Sequence, residues 1–111
     1  MHEPGLDKHD WETEWQALEP LLADSPGETL PELDDLVARM MEARGFPLTE
    51  SPVEETIEPE TVREFMEARR IMRLVDAGER VDPGDIGVAV TSYRSLYEYL
   101  LELGPDTLGQ S

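Results

Sequence analysis

Carboxylates are the residues of this chain best supplied for chemistry, and a helical bundle can use them to hold a pair of iron ions. Such a site needs Glu-x-x-His on two helices and a further Glu on each of two others, all facing inward. Glu64 and Glu67 have the i, i+3 spacing, but they fall on the polar side of their predicted helix. The two histidines, His2 and His9, precede the first predicted helix, so no metal centre is expected. Nucleophilic catalysis fares no better. Ser25, Ser51, Ser92, Ser95 and Ser111 have no histidine within the predicted core to act as base, and the chain has no cysteine. There is no glycine-rich loop to cradle a phosphate. A carboxylate pair can do acid–base work, but among 26 acidic residues a pair carries no information. The chain is read as a non-enzyme without a cofactor.

Three other groups are candidates for binding. Arg69 and Arg73 lie one turn apart on the rim of an apolar helix face. They are expected either to lock that helix to an acidic neighbour, such as the first helix or the 46–58 loop, or to form a small-anion pocket. Trp11 and Trp15, the only tryptophans, stand on a proline-interrupted helix and either cover the bundle or present an interface. Tyr99 projects with Val88 away from the stripe that holds Tyr93 and Tyr97, and is a candidate contact surface.

The elements that must position these residues follow from composition and punctuation. The chain has 111 residues, 39% apolar and 32% charged, enough for one core and too few for two. Acids outnumber bases 26 to 9, for a formal charge of −17, which argues against binding nucleic acid through its phosphates. No apolar run approaches the ~18 residues of a membrane span. The start of the sequence lacks the basic and then apolar pattern of a signal peptide, so a cytoplasmic location is expected. Residues 61–80 hold five of the nine bases, Arg63, Arg69, Arg70, Arg73 and Arg80, and form the one stretch that is not acidic.

Helical spacing dominates. Trp11, Trp15, Leu18 and Leu22 share a face behind Asp10, and Pro20 predicts a short helix over about 10–18, with a kinked continuation to 23 as the alternative. A second helix is expected at about 30–44. Its start is placed at the Thr29-Leu30-Pro31-Glu32 capping box rather than at Ser25-Pro26-Gly27-Glu28, because Pro31 is harmless only in a first turn. Gly45-Phe46-Pro47 ends it, and an acidic, mobile connection follows to residue 58. The third helix spans about 59–77 and ends at Gly78; the fourth spans about 83–103 behind Asp82-Pro83. A short strand at 86–91 is the alternative there, but no second strand is available to pair with it. The expected fold is all-α: an antiparallel bundle of three main helices with the Trp-bearing helix laid across it. Residues 10–104 form the domain, with 1–9 and 105–111 as flexible ends.

The order Arg44-Gly45-Phe46-Pro47, an acidic loop, Val62, Phe65, Ala68, Arg69 and Ile71, Asp85-Ile86, and Tyr93-Arg94-Ser95-Leu96-Tyr97-Glu98-Tyr99-Leu100-Leu101 resembles a group of small helical bacterial proteins, common in actinobacteria. These have an RG(Y/F)P turn and a closing YR-x-L-(F/Y)E-x-LL helix. The resemblance covers Leu36 to Leu101 and implies a helical fold; it brings no activity or ligand.

These features lead to the expectation of a small acidic protein-interaction module that binds another protein or a second copy of itself. Two alternatives stand beside it: a nucleic-acid mimic whose carboxylates imitate phosphates, and a small-anion sensor built on Arg69 and Arg73.

Overall fold

The computed structural model describes residues 4–44 and 59–103. They form four helices, α1 (Pro4–Asp24), α2 (Pro26–Ala43), α3 (Pro59–Asp76) and α4 (Pro83–Leu103), and no strand is present among the described residues. The fold is all-α, and 86–91 is helical. The Gly45-Phe46-Pro47 stop, the 46–58 connection and the 105–111 tail lie outside the described residues.

Two boundaries differ from expectation. The Trp-bearing helix is a full member of the bundle, running 21 residues from Pro4 and through Pro20. Pro20 is exposed, while Leu22, two residues on, is buried in the core. The ladder also continues, since the Ser25 amide donates to the Leu21 carbonyl at 2.7 Å. An interior proline costs about 3 kcal/mol, and burial of Leu22 against the bundle offsets much of that.

Helix α2 likewise starts at Pro26, with Ser25 as N-cap, and not at Thr29. The Thr29 amide and hydroxyl both donate to the Ser25 carbonyl, at 3.0 and 2.7 Å. Pro31 is therefore interior. The extra turn is held by packing, because Thr29 and Leu30 are buried and Gly27 sits close against Val75 and Ile86.

Helix α2 is the centre of the molecule and touches each of the other three. Its wide buried face holds Leu30, Leu33, Leu36, Val37, Met40 and Met41. Gly27 lies beside Ile86, and Arg44 reaches Leu100, so α2 and α4 run parallel. Helix α1 is antiparallel to both, as Glu14–Arg39 and Trp15–Tyr97 register it. Helix α3 covers the opposite side, also antiparallel, through Arg69–Asp34 and Val75 beside Gly27.

The α3–α4 turn is set by Gly78, whose φ of +82° only glycine adopts without strain. Its amide donates to the Val75 carbonyl at 3.0 Å, and the Glu79 amide to Leu74 at 2.9 Å, which together form a Schellman cap. Pro83 then opens α4 where no amide donor is needed, after the Asp82 carbonyl has accepted from Asp85 and Ile86.

Candidate functional site

Polar groups inside the bundle gather at one carboxylate. Asp34 of α2 is only 4% exposed, so its charge needs partners. Arg69 of α3 supplies a forked pair, with Nη2 at 2.8 Å from Oδ1 and Nε at 3.1 Å from Oδ2. Tyr93 of α4, fully buried, donates its hydroxyl to Oδ2 at 2.7 Å. The Arg69 guanidinium lies 4.6 Å over the Phe65 ring, and Phe65 meets Tyr93 edge-on with centroids 6.1 Å apart. The loop is closed, and it joins α2, α3 and α4.

Burial, and then the hydrogen bond to Asp34, push the Tyr93 phenol well above its ordinary value. The same carboxylate raises Arg69, which stays a cation, and Tyr93 stays neutral. Arg69 gives both Nε and Nη2 to Asp34, so its charge is already answered by a buried carboxylate. Its acidic partner is on α2, neither on the first helix nor in the 46–58 loop. Arg73, one turn on, is exposed in the last turn of α3.

A second buried cation caps α4. Arg44 is 2% exposed, and its Nε donates to the Leu100 carbonyl at 2.9 Å, at the end of α4 where backbone acceptors lack intrahelical partners. Arg44 thus ties the end of α2 to the last turn of α4.

Of the candidate interface residues, the structure places Trp15 in the core at 5% exposure. Its ring stacks on Tyr97 at 4.4 Å with planes 12° apart, its Nε1 donates to Glu19, and the Arg94 guanidinium lies 5.9 Å from its ring centroid. Burial raises the Tyr97 phenol to about 12, with help from Glu12, Glu98 and Glu19. Trp11 is half-buried against the same core, with Arg39 5.8 Å over its ring. Arg39 is in turn held by Glu14 at 2.8 Å and Asp35 at 3.0 Å.

Tyr99 and Val88 have a different setting. At 37% and 56% exposure they are two of the three large apolar side chains left open to water among the described residues; Leu21 on α1 is the third. Val88, Ser92, Ser95 and Tyr99 recur at i, i+4, i+7 and i+11 and so make one row along α4. Across from Tyr99, the first turns of α3 bring Glu60, Thr61 and Glu64 to a shallow groove of about 360 Å³ that Ser95 and Leu96 complete. The structure brings Tyr99 together with two carboxylates and does not bring it near either tryptophan.

Glu64 is exposed on the rim of that groove, and Glu67 is exposed and paired with Arg70 at 2.6 Å. Among the described residues no three His, Cys, Asp or Glu side chains are arranged to share a metal ion, and no helix is long and apolar enough to cross a membrane. Sequence reasoning missed Asp34 and Arg44. The available signal for Asp34 was its place in the apolar series Leu30, Leu33, Asp34, Val37 and Met41, and Arg44 follows Met40 and Met41 on the same stripe.

No protein family, curated protein or solved structure was found to match this chain.

Proposed function

We propose that the chain is a non-catalytic protein-interaction module, and that it docks through the outer face of α3 and α4. One observation carries this reading: Tyr99 and Val88 stay exposed on a single row of α4, while Tyr93, Tyr97, Phe65 and Trp15 are buried. An isolated exposed apolar residue is ordinary. Two of them three turns apart on one row, with serines between and two carboxylates across from Tyr99, make a mixed apolar and polar surface of the kind protein partners use. The polar cluster at Asp34 is satisfied from within and has the form of a lock between helices, which supports the non-enzymatic reading.

The mimic reading has less support. It calls for carboxylates gathered on one elongated face, whereas Glu19, Glu32, Glu64 and Glu102 are exposed on four different helices. The anion-sensor reading loses ground to the forked Arg69–Asp34 pair. A cytoplasmic setting, and kinship with the small actinobacterial helical proteins, belong to the same proposal.

The test compares the chain with a Val88→Ser/Tyr99→Ala double variant in affinity capture and in sedimentation. The reading expects a complex, with a partner or with a second copy, that the double variant loses while its melting curve stays cooperative. A complex that survives the double variant refutes it.

A further inference from the structure

The groove between α3 and α4 differs from the other grooves in how its charges are settled. Along α1 and α2, a groove of about 480 Å³ carries a base of its own: Arg39 is shared by Glu14 and Asp35, and Glu32, Ala17, Leu18, Pro31 and Leu36 complete the lining. Glu67 has Arg70, and Glu19 lies 3.8 Å from Arg94. The lining of the Tyr99 groove contains Glu60 and Glu64 and no base. Arg63, on the neighbouring row of α3, is not part of that lining. Glu60 and Glu64 are spaced i, i+4, where two carboxylates repel each other. The opposite wall offers an exposed phenol ring, whose face attracts a cation, and one turn away the Ser95 hydroxyl.

Resting on the docking face proposed above, we infer that its occupant is a basic, amphipathic segment of a partner protein. In this arrangement Lys or Arg side chains enter between Glu60, Glu64 and Tyr99, and an apolar side chain rests on Val88. Charge complementarity selects this occupant over a second copy. Each copy carries a formal charge of −17, and docking acid wall to acid wall opposes that charge with its like. The groove is also shallow and at the low end of the ~300–1,000 Å³ typical of small-molecule sites, which favours a segment lying along it.

A chain this acidic attracts any polycation, so the test needs a matched control. Glu28 and Glu32 supply it, being exposed, spaced i, i+4, and at the start of α2 as Glu60 and Glu64 are at the start of α3. The probe is a fluorescein-labelled synthetic helix with Lys on one face and Leu on the other, followed by anisotropy. Glu60→Gln/Glu64→Gln and, separately, Tyr99→Ala should each weaken binding by about fivefold or more, from pair contributions of the size found at exposed sites. Glu28→Gln/Glu32→Gln should stay within about twofold, as a change in overall charge alone would leave it. Equal weakening by the two double variants overturns the inference, because the attraction is then general. Absence of probe binding, or self-association that depends on Tyr99, also overturns it and leaves the docking face standing. The docking face itself fails only if the complex outlives the loss of Val88 and Tyr99.

Discussion

Asp34→Ala should destabilise the fold by about 4 kcal/mol. Removing one member of a fully buried ion pair costs about 3–5 kcal/mol, because the other charge stays behind without a partner. Here the Arg69 side chain is 20% exposed and Asp34 6%, so the guanidinium recovers some water and the low end, or a little under it, applies. Tyr93 is fully buried, and its orphaned hydroxyl adds about 1–3 kcal/mol. At about 4–8 °C per kcal/mol for a domain near this size, melting should fall by roughly 15–30 °C. The assay is urea and thermal unfolding followed by circular dichroism. Asp34→Asn keeps one acceptor oxygen and should lose about half as much. In a Tyr93→Phe background, Asp34→Ala should cost about 1 kcal/mol less than in the parent, as expected for groups that share an acceptor. A loss below about 1 kcal/mol, the scale of an exposed ion pair, would refute the claim that this cluster locks α2, α3 and α4.

Trp15→Ala should cost about 3–5 kcal/mol, since it empties a core position stacked on Tyr97; a tryptophan fluorescence and melting comparison would show it, and a loss under ~1 kcal/mol would contradict it. Gly27→Ala should stabilise by about 0.5–1 kcal/mol, because the helix gains a better former. Its new Cβ meets Ile86 and Val75 at ordinary contact distances of 3.6 and 3.7 Å, and a lowered urea midpoint would count against that geometry. Alkaline pH should unfold the chain through its buried phenols. The folded state holds Tyr97 at about 12 against an ordinary 10.0, so the unfolded chain releases that proton first. Stability is then whole below pH 10 and falls as pH rises toward 12, and Tyr97→Phe should flatten the fall; an equal slope in parent and variant would contradict it.

Helices α3 and α4 were legible because their caps are chemically explicit: Gly78 for one end, Asp82-Pro83 for the next start. Local rules failed at Pro20 and Pro31. In both places propensity calls for a break, and burial of Leu22, Thr29 and Leu30 carries the helix on. Tertiary packing of this kind has no local signature. The same is true of Asp34, a carboxylate on an apolar stripe, whose partners are 35 and 59 residues away. Tyr99 and Val88 were readable as off-stripe residues from α4's period alone. The acidic wall opposite Tyr99 was not, because it comes from another helix whose register follows only from the folded hairpin.

The central claim is that the outer face of α3 and α4 receives a basic helical segment. Its most direct test is backbone amide shift mapping of the isotope-labelled chain during titration with the Lys/Leu helix. The account predicts shifts concentrated in residues 60–64 and 88–99, saturating together, with α1 and α2 quiet. Shifts spread evenly over the acidic residues of all four helices, or centred on the Glu14–Arg39 groove, would contradict it.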